Sequence, residues 1–252
     1  MRVLVAVSTC AKYEFDGKNQ AMRDTCLKEA AQFPDLTYKF FIGDGTAIAE
    51  DSTALQQSFN KNWQEWTRRF PSSPSVWEKK DVPPAPLPRG FVPKDDIVVL
   101  PIPDDYKHMS YKTRESLRWA TRPEQDFDFI FRCCCDTYID FPRLMLSGFE
   151  RHAYIAGGVL QPNNYGIGGP GYWLSKDATR PVVAAPVTDW AEDRWVGGIL
   201  HRSGIPVHVD RRYVNYPQHP QKSNDLITSH IALMPTPYDF RVMYHLYEER
   251  WR

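Results

Sequence analysis

The residues best suited to chemistry in this chain are three consecutive cysteines, Cys133, Cys134 and Cys135, followed by Asp136. An aromatic and β-branched run at residues 127–131 precedes them, which predicts a buried strand that ends at a polar edge. Ligands of open α/β sheets bind at the carboxyl ends of strands. Asp136 is therefore a candidate ligand for a divalent cation beside a diphosphate, with a simple turn cap as the alternative.

The three thiols do not form a metal site by themselves. Successive residues of a strand point to opposite faces, so Cys134 diverges from Cys133 and Cys135. The five cysteines of the chain include no Cys-x-x-Cys pair. We predict reduced thiols rather than a disulfide framework, which favours a cytosolic protein.

Three further groups of residues in the second half of the chain are candidates for the same chemistry. Glu192 has the spacing of a capping-box partner for Asp189, which leaves Asp193 as a candidate general base, with a favourable interaction with the helix dipole as the alternative. The glycines of residues 166–171 allow backbone to approach a ligand closely, or form an ordinary turn. His230 lies in a polar segment, where a surface position is the alternative.

The elements that must position these residues alternate between strand and helix. Apolar β-branched runs and helical spacings of three and four predict βαβ units, and hence a mostly parallel sheet. The predicted strands are residues 3–7, 37–42 and 97–100, the strand before Asp136, residues 154–160 and a last strand at residues 206–209. The predicted helices are residues 19–33, residues 51–70, one capped by Ser110 and ended before Pro123, one over residues 140–148, and one ended by Gly204.

Length and composition limit the possible domain organisation, partners and membrane segments. We predict a single domain over residues 1–252, with a proline-rich surface excursion at residues 71–93 and a C-terminal tail at residues 231–252. The formal net charge is zero, which argues against nucleic acid or another polyanion as a partner. No apolar run reaches the roughly 18 residues that a transmembrane helix needs, so no transmembrane segment is predicted.

Several short motifs occur in order along the chain. They are Arg23-Asp24-Thr25, Asp105-Tyr106, Ser110-Tyr111-Lys112-Thr113, Asp136-Thr137-Tyr138, residues 169–175, residues 192–197 and the late His230. In this order, and from the first strand to about His230, they resemble the β-1,3-galactosyltransferase and fringe family of inverting glycosyltransferases. The resemblance implies an α/β fold of the single-domain GT-A type, with a Rossmann-like, mixed and mostly parallel sheet flanked by helices.

The same resemblance implies an activity. The family uses a UDP-sugar with Mn²⁺ or another divalent cation, here to move a hexose or N-acetylhexosamine to a hydroxyl of a glycan or glycoconjugate in a β-1,3 linkage. It implies that Asp136 and His230 hold the metal and that Asp193 is the catalytic base. Residues that we expect at the donor, by resemblance or by position, are Ser8, Thr9, Arg23, Lys112, Cys134, Cys135, Gly168 and Gly169.

The chain departs from the family at its motif of three aspartates, which reads Cys134, Cys135 and Asp136 here. Loss of the carboxylate expected at the ribose should weaken donor binding by about 1.5–3 kcal/mol. One alternative is therefore a catalytically impaired relative that binds a nucleotide sugar or a glycan. A second alternative is a soft-metal or redox-sensitive variant.

The resemblance also leads to an expectation about the cellular compartment of the protein. Animal members of the family lie in the Golgi lumen behind an N-terminal membrane anchor. Because Met1 abuts the first predicted strand, we expect a cytoplasmic protein of a soluble bacterial or viral type, or a Golgi lumenal one if the chain is trimmed.

Overall fold

A computed structural model describes residues 1–48, 53–69, 87–88, 90–160, 165–215 and 225–230. Within these residues the strands form a seven-stranded central sheet and two smaller sheets. The strands are β1 Val3–Ser8, β2 Leu36–Gly43, β3 Ile97–Leu100, β4 Phe129–Cys134, β5 Thr137–Ile139, β6 Tyr154–Ala156, β7 Val159–Leu160, β8 Tyr165–Gly166, β9 Tyr172–Ser175, β10 His208–Val209, β11 Tyr213–Asn215 and β12 Thr228–His230.

The central sheet runs in the order β10-β6-β9-β4-β1-β2-β3. Strands β4, β1, β2 and β3 pair in parallel, as do β6 and β10. Strand β9 runs antiparallel between β4 and β6. The α/β class and the mixed, mostly parallel sheet predicted from the sequence are therefore confirmed. Because Ser8 pairs with Cys134, the carboxyl ends of β1 and β4 lie side by side.

Helices cover both faces of this sheet. They are α1 Ala11–Phe15, α2 Lys18–Asp24, a 3₁₀ helix at Cys26–Gln32, α3 Thr53–Arg69, α4 Met109–Ala120, α5 Phe141–Met145, a second 3₁₀ helix at Phe149–Arg151, α6 Lys176–Ala184 and α7 Glu192–Arg202. Helix α7 ends before Gly204, whose φ of 72° is left-handed, as the sequence predicts for a helix stop.

Two helices differ from the sequence prediction. The predicted helix at residues 19–33 is broken at Thr25, which has a φ of −120° and a ψ of −110°. The hydroxyl of Thr25 donates to the carbonyl oxygen of Ala21 at 2.7 Å, and a 3₁₀ helix continues beyond the break. The predicted cap Ser110 is instead the second residue of α4, buried, with its hydroxyl donating to the Trp190 carbonyl oxygen at 3.1 Å.

Alternation along the strands gives the sheet one hydrophobic core on each face. In β1, Val3, Val5 and Val7 belong to the first core, whereas Leu4 and Ala6 belong to the second. The first core is covered by α2, the first 3₁₀ helix and α5, and the second by α3, α4, α6 and α7.

The same alternation separates the cysteines. The side chains of Cys133 and Cys135 are buried in the first core. Cys134 is half-buried and lies near Arg132, on the other face of β4. The predicted divergence of Cys134 from its two neighbours is therefore confirmed.

A three-stranded sheet in the order β11-β12-β5 was not predicted. The predicted last strand at residues 206–209 is reduced to the two residues of β10, and β11 and β12 follow it in the chain. Strand β12 pairs antiparallel with β5 and parallel with β11, which places His230 between Thr137 and Asn215. Strands of three residues leave too short a periodic pattern to be found in a polar, proline-rich segment.

Parts of several predictions lie outside the described residues. These are most of the proline-rich excursion, namely residues 71–86 and 89, the whole tail at residues 231–252, and both ends of the predicted helix at residues 51–70. Among the helices that are described, none combines the length and hydrophobicity needed to cross a bilayer.

A buried ion pair ties together the loops at the carboxyl edge of the sheet. The ammonium of Lys112 lies 2.5 Å from the Thr9 carbonyl oxygen and 2.6 Å from Oδ1 of Asp104, and both side chains are almost fully buried. Asp104 also accepts from the backbone N–H of Ala11 at 2.6 Å and of Gly43 at 2.8 Å. One charge pair thereby links α4 to the ends of β1 and β2.

We expect Lys112→Met to lower the free energy of unfolding by about 3–5 kcal/mol, because it leaves the Asp104 carboxylate buried without its cation. Urea denaturation of the purified variant measures this loss. Lys12→Met is the control, since it removes an exposed lysine from α1. A Lys112→Met variant within about 1 kcal/mol of the wild type would show that the buried pair contributes no more than a surface ion pair does.

Candidate functional site

The pair Asp136 and His230 is held by the small sheet at the end of β4. Nδ1 of His230 lies 2.8 Å from Oδ1 of Asn215, and an amide oxygen only accepts, so Nδ1 donates. Nε2 of His230 lies 3.3 Å from Oδ1 of Asp136. Despite this contact, Oδ1 of Asp136 is buried and has no hydrogen-bond partner among the described residues, which leaves it available to a cation. Histidines that ligate metals are oriented by the same kind of acceptor on the far nitrogen.

Asp136 is ionised in this environment. Burial acts to raise the pKa of Asp136, but the close contact with His230 and the positive charge of Lys18 outweigh burial and hold that pKa well below its usual range. The ammonium of Lys18 lies 3.8 Å from Oδ2 of Asp136, so Lys18 and His230 approach different oxygens of one carboxylate.

Lys18 is a site residue that the sequence analysis missed. It is the first residue of α2, in the segment that follows β1. Sheet topology could have indicated Lys18, because β1 and β4 are parallel neighbours. The residues that follow these two strands therefore meet at one edge of the sheet.

The two cysteines beside Asp136 carry no charge at neutral pH. Burial raises the pKa of Cys134 to about 12 and that of Cys135 to about 11. Sγ of Cys134 accepts from Nη1 of Arg132 at 3.3 Å. Among the described residues no group of three or more His, Cys, Asp or Glu side chains could hold a metal ion, so Asp136 and His230 are the two candidate ligands in this part of the chain.

Glu192 does not form the predicted capping box. Ala191 is the N-cap residue of α7, and the Glu192 side chain turns inward, with Oε1 2.8 Å from Nη1 of Arg132. Its Oε2 accepts from the Tyr172 hydroxyl at 2.7 Å. Asp189 instead accepts from the N–H of Ala191 and pairs with Arg194. The capping prediction is wrong because a buried arginine gives Glu192 a stronger partner than a helix N-terminus does.

Asp193 is the carboxylate that remains available for proton transfer. Its Oδ2 accepts from the N–H of Gly168 at 3.1 Å and its Oδ1 from the N–H of Arg194 at 2.8 Å. Burial raises the pKa of Asp193 above the usual value for an aspartate. Each oxygen keeps a second lone pair, and a raised pKa makes the carboxylate a better proton acceptor.

A loop of two glycines joins Asp193 to the pair Asp136 and His230. A Cβ atom added to Gly169 would lie 2.2 Å from Nδ1 of His230, and one added to Gly168 would lie 2.8 Å from Cβ of Asp193. The Gly169 carbonyl oxygen accepts from the Thr137 hydroxyl at 2.9 Å, which anchors the loop to β5. His230 and Asp193 therefore flank one short stretch of backbone that has no side chains.

Ser8 and Thr9 lie at the same edge of the sheet, where β1 ends. The Ser8 carbonyl oxygen accepts from the N–H of Cys135 at 3.1 Å. The Thr9 hydroxyl donates to Oδ1 of Asn19 at 2.8 Å. The structure thus brings Ser8 and Thr9 beside Cys134 and Cys135, and their contact with a donor stays a prediction.

Arg23 and Lys112 are engaged in ion pairs of the fold. Arg23 pairs with Glu14 and Asp96, and its guanidinium lies 4.6 Å from the centre of the Phe40 ring. Lys112 contacts the Thr9 backbone, but its ammonium is buried against Asp104. Contact of either residue with a nucleotide stays a prediction.

Comparisons with known proteins give structural likenesses alone. No protein-family model and no curated protein matches the chain. Among the solved structures that match is the galactosyltransferase LgtC in complex with donor and acceptor sugar analogs, with 13% identity over 97% of this chain and 95% of that chain and a TM-score of 0.45. A glycosyltransferase involved in the glycosylation of the major capsid of PBCV-1 matches with 11% identity over 98% of this chain and 100% of that chain and a TM-score of 0.41. Mouse xyloside xylosyltransferase 1 matches with 10% identity over 91% of this chain and 96% of that chain and a TM-score of 0.38.

We expect Gly169→Ala to lower the free energy of unfolding by about 1–3 kcal/mol, because the new methyl group would overlap the His230 ring. Gly198→Ala is the matched control within α7. Its added Cβ meets only Nη1 of Arg202, at 3.4 Å, and alanine should stabilise the helix by about 0.5–1 kcal/mol. Urea denaturation of both variants tests the packing, and a Gly169→Ala variant as stable as the wild type would contradict it.

Proposed function

We propose that this protein is an inverting glycosyltransferase that moves a hexose or N-acetylhexosamine from a UDP-sugar to a glycan hydroxyl, forming a β-1,3 linkage. The observation that carries the proposal is the glycine loop at Gly168 and Gly169. On one side it contacts His230, the partner of Asp136, and on the other it hydrogen-bonds Asp193. A sugar transferase that works by inversion needs a site for a diphosphate and a base on opposite sides of the donor sugar.

The residues on the donor side fit a divalent cation. A carboxylate oxygen of Asp136 and an imidazole nitrogen of His230, the latter oriented by Asn215, are ligands that Mn²⁺ accepts. When bound, the cation would neutralise charge on the diphosphate leaving group. The few protein ligands suit an ion that completes its coordination with phosphate oxygens and water.

On the acceptor side, Asp193 would take the proton of the attacking hydroxyl. The hydroxyl oxygen forms a bond to the anomeric carbon while the bond from that carbon to the diphosphate breaks. The proton goes to the Asp193 carboxylate and the electron pair leaves with UDP. Glu192 is unsuited to this role, because Arg132 and Tyr172 occupy its oxygens. Gly168 and Gly169 would leave room for the donor sugar against the backbone.

The uncharged thiols support an alternative function. Cys134 and Cys135 stand where the resembling family has carboxylates, and neither thiol is ionised at neutral pH. A relative that binds nucleotide sugar or glycan with impaired catalysis would show this feature. The arrangement of Asp136, His230 and Asp193 favours an active enzyme, because binding alone requires no carboxylate placed to accept a proton from the acceptor hydroxyl.

We expect Asp193→Asn to lower the transfer rate by at least about 100-fold, because the amide cannot accept the hydroxyl proton. The amide oxygen can still accept from the Gly168 N–H, so the affinity for UDP should be nearly unchanged. UDP release from a panel of UDP-sugars measures turnover, and calorimetry measures binding. Asp177→Asn, an exposed position on α6, is the control. Full turnover by Asp193→Asn would rule out Asp193 as the base.

Asp136→Asn tests the metal. In the wild type, Mn²⁺ with UDP should raise the melting temperature, since a ligand at about 100 times its Kd adds about 2.7 kcal/mol of stability. Asp136→Asn should abolish the increment that depends on Mn²⁺, because an amide oxygen is a much weaker ligand for a divalent cation. Asp177→Asn should keep that increment. An equal increment in Asp136→Asn would place the metal elsewhere.

A further inference from the structure

Lys18 is a buried cation with unusual surroundings. Its side chain is 11% exposed, and its ammonium lies 4.5 Å from the centre of the Tyr13 ring and 3.8 Å from Oδ2 of Asp136. At 3.8 Å the contact with Asp136 is an ion pair and not a hydrogen bond. In the part of the chain that the structure describes, the ammonium makes no hydrogen bond to any acceptor.

Lys112 shows what a buried lysine of this protein does when its role is structural. Its ammonium hydrogen-bonds the Thr9 carbonyl oxygen and the Asp104 carboxylate. Lys18 lacks such partners among the described residues, and its ammonium is not fully shielded from solvent. The donors of Lys18 therefore remain for a ligand with several acceptor oxygens.

The charges around Lys18 favour an anionic ligand. Lys18 and His230 flank one carboxylate, that of Asp136, from different oxygens. Among the described residues Asp136 is the one acid that pairs with Lys18, so a cation bound by Asp136 would leave the charge of Lys18 for an anionic ligand.

Resting on the function proposed above, we infer that Lys18 binds the diphosphate of the donor directly, so that UDP binding has a component that needs no divalent cation. The ammonium would donate to phosphate oxygens beside Asp136. The metal and Lys18 would then share the leaving-group charge, and the protein would bind UDP in the presence of a chelator, more weakly than with Mn²⁺.

The test is calorimetric titration of UDP, in EDTA and in MnCl₂, into the wild type, Lys18→Met and Lys12→Met. Methionine keeps the length of the side chain and removes the charge, and Lys12 is an exposed lysine nearby on α1. We expect the wild type to bind UDP in EDTA and Lys18→Met to weaken that binding by about 10- to 100-fold. Lys12→Met should bind as the wild type does, and melting temperatures of all three report on folding.

Titration of uridine into the wild type in EDTA measures how much the diphosphate adds to the affinity, and this comparison needs no variant. We expect UDP to bind at least about 10-fold more tightly than uridine, since only UDP reaches Lys18. Equal affinities would overturn the inference, as would a folded Lys18→Met variant that binds UDP in EDTA as tightly as the wild type. UDP binding that occurs only with Mn²⁺ would overturn the inference and leave the proposed function intact. An absence of UDP binding in either buffer would overturn both.

Discussion

The ion pair between Arg132 and Glu192 is the interaction on which the rest of the site depends. Both side chains are buried, and the pair joins β4 to the first turn of α7. Removing one partner of such a pair typically costs about 3–5 kcal/mol, because the other charge stays buried and uncompensated. Arg132 lies four residues before Asp136, and Glu192 precedes Asp193. The pair therefore holds the strand end and the candidate base in a fixed relation.

Two further structural features position the candidate site residues around that ion pair. The pairing of β12 between β5 and β11 brings His230 to Asp136 from a distant part of the chain. The backbone of Gly168 and Gly169 lies between His230 and Asp193, where a side chain on either glycine would overlap its neighbours. The candidate site residues therefore come from three separate elements: Asp136 follows the parallel strand β4, His230 lies on the short strand β12, and Asp193 lies at the start of α7. None of these elements forms the site alone.

The sequence predicted the parts of the molecule that rest on local periodicity. The parallel strands and the divergence of the cysteines follow from alternation, and the structure confirms them. The role of Glu192 was misread, because spacing alone cannot show that a buried arginine competes with the helix N-terminus for its carboxylate. Lys18 and the strand containing His230 were missed as structural features, since their partners are distant in the chain and leave no periodic signal. Which partner a charged side chain finds is decided by tertiary packing.

The most direct test of the account is a crystal structure of the protein grown with UDP and MnCl₂, with anomalous diffraction data collected for manganese. The account predicts one manganese ion in contact with Asp136 and His230, phosphate oxygens of UDP on that ion, and Asp193 facing the same cleft across the Gly168 and Gly169 loop. Manganese bound away from Asp136, or UDP bound away from the carboxyl ends of β1 and β4, would contradict it.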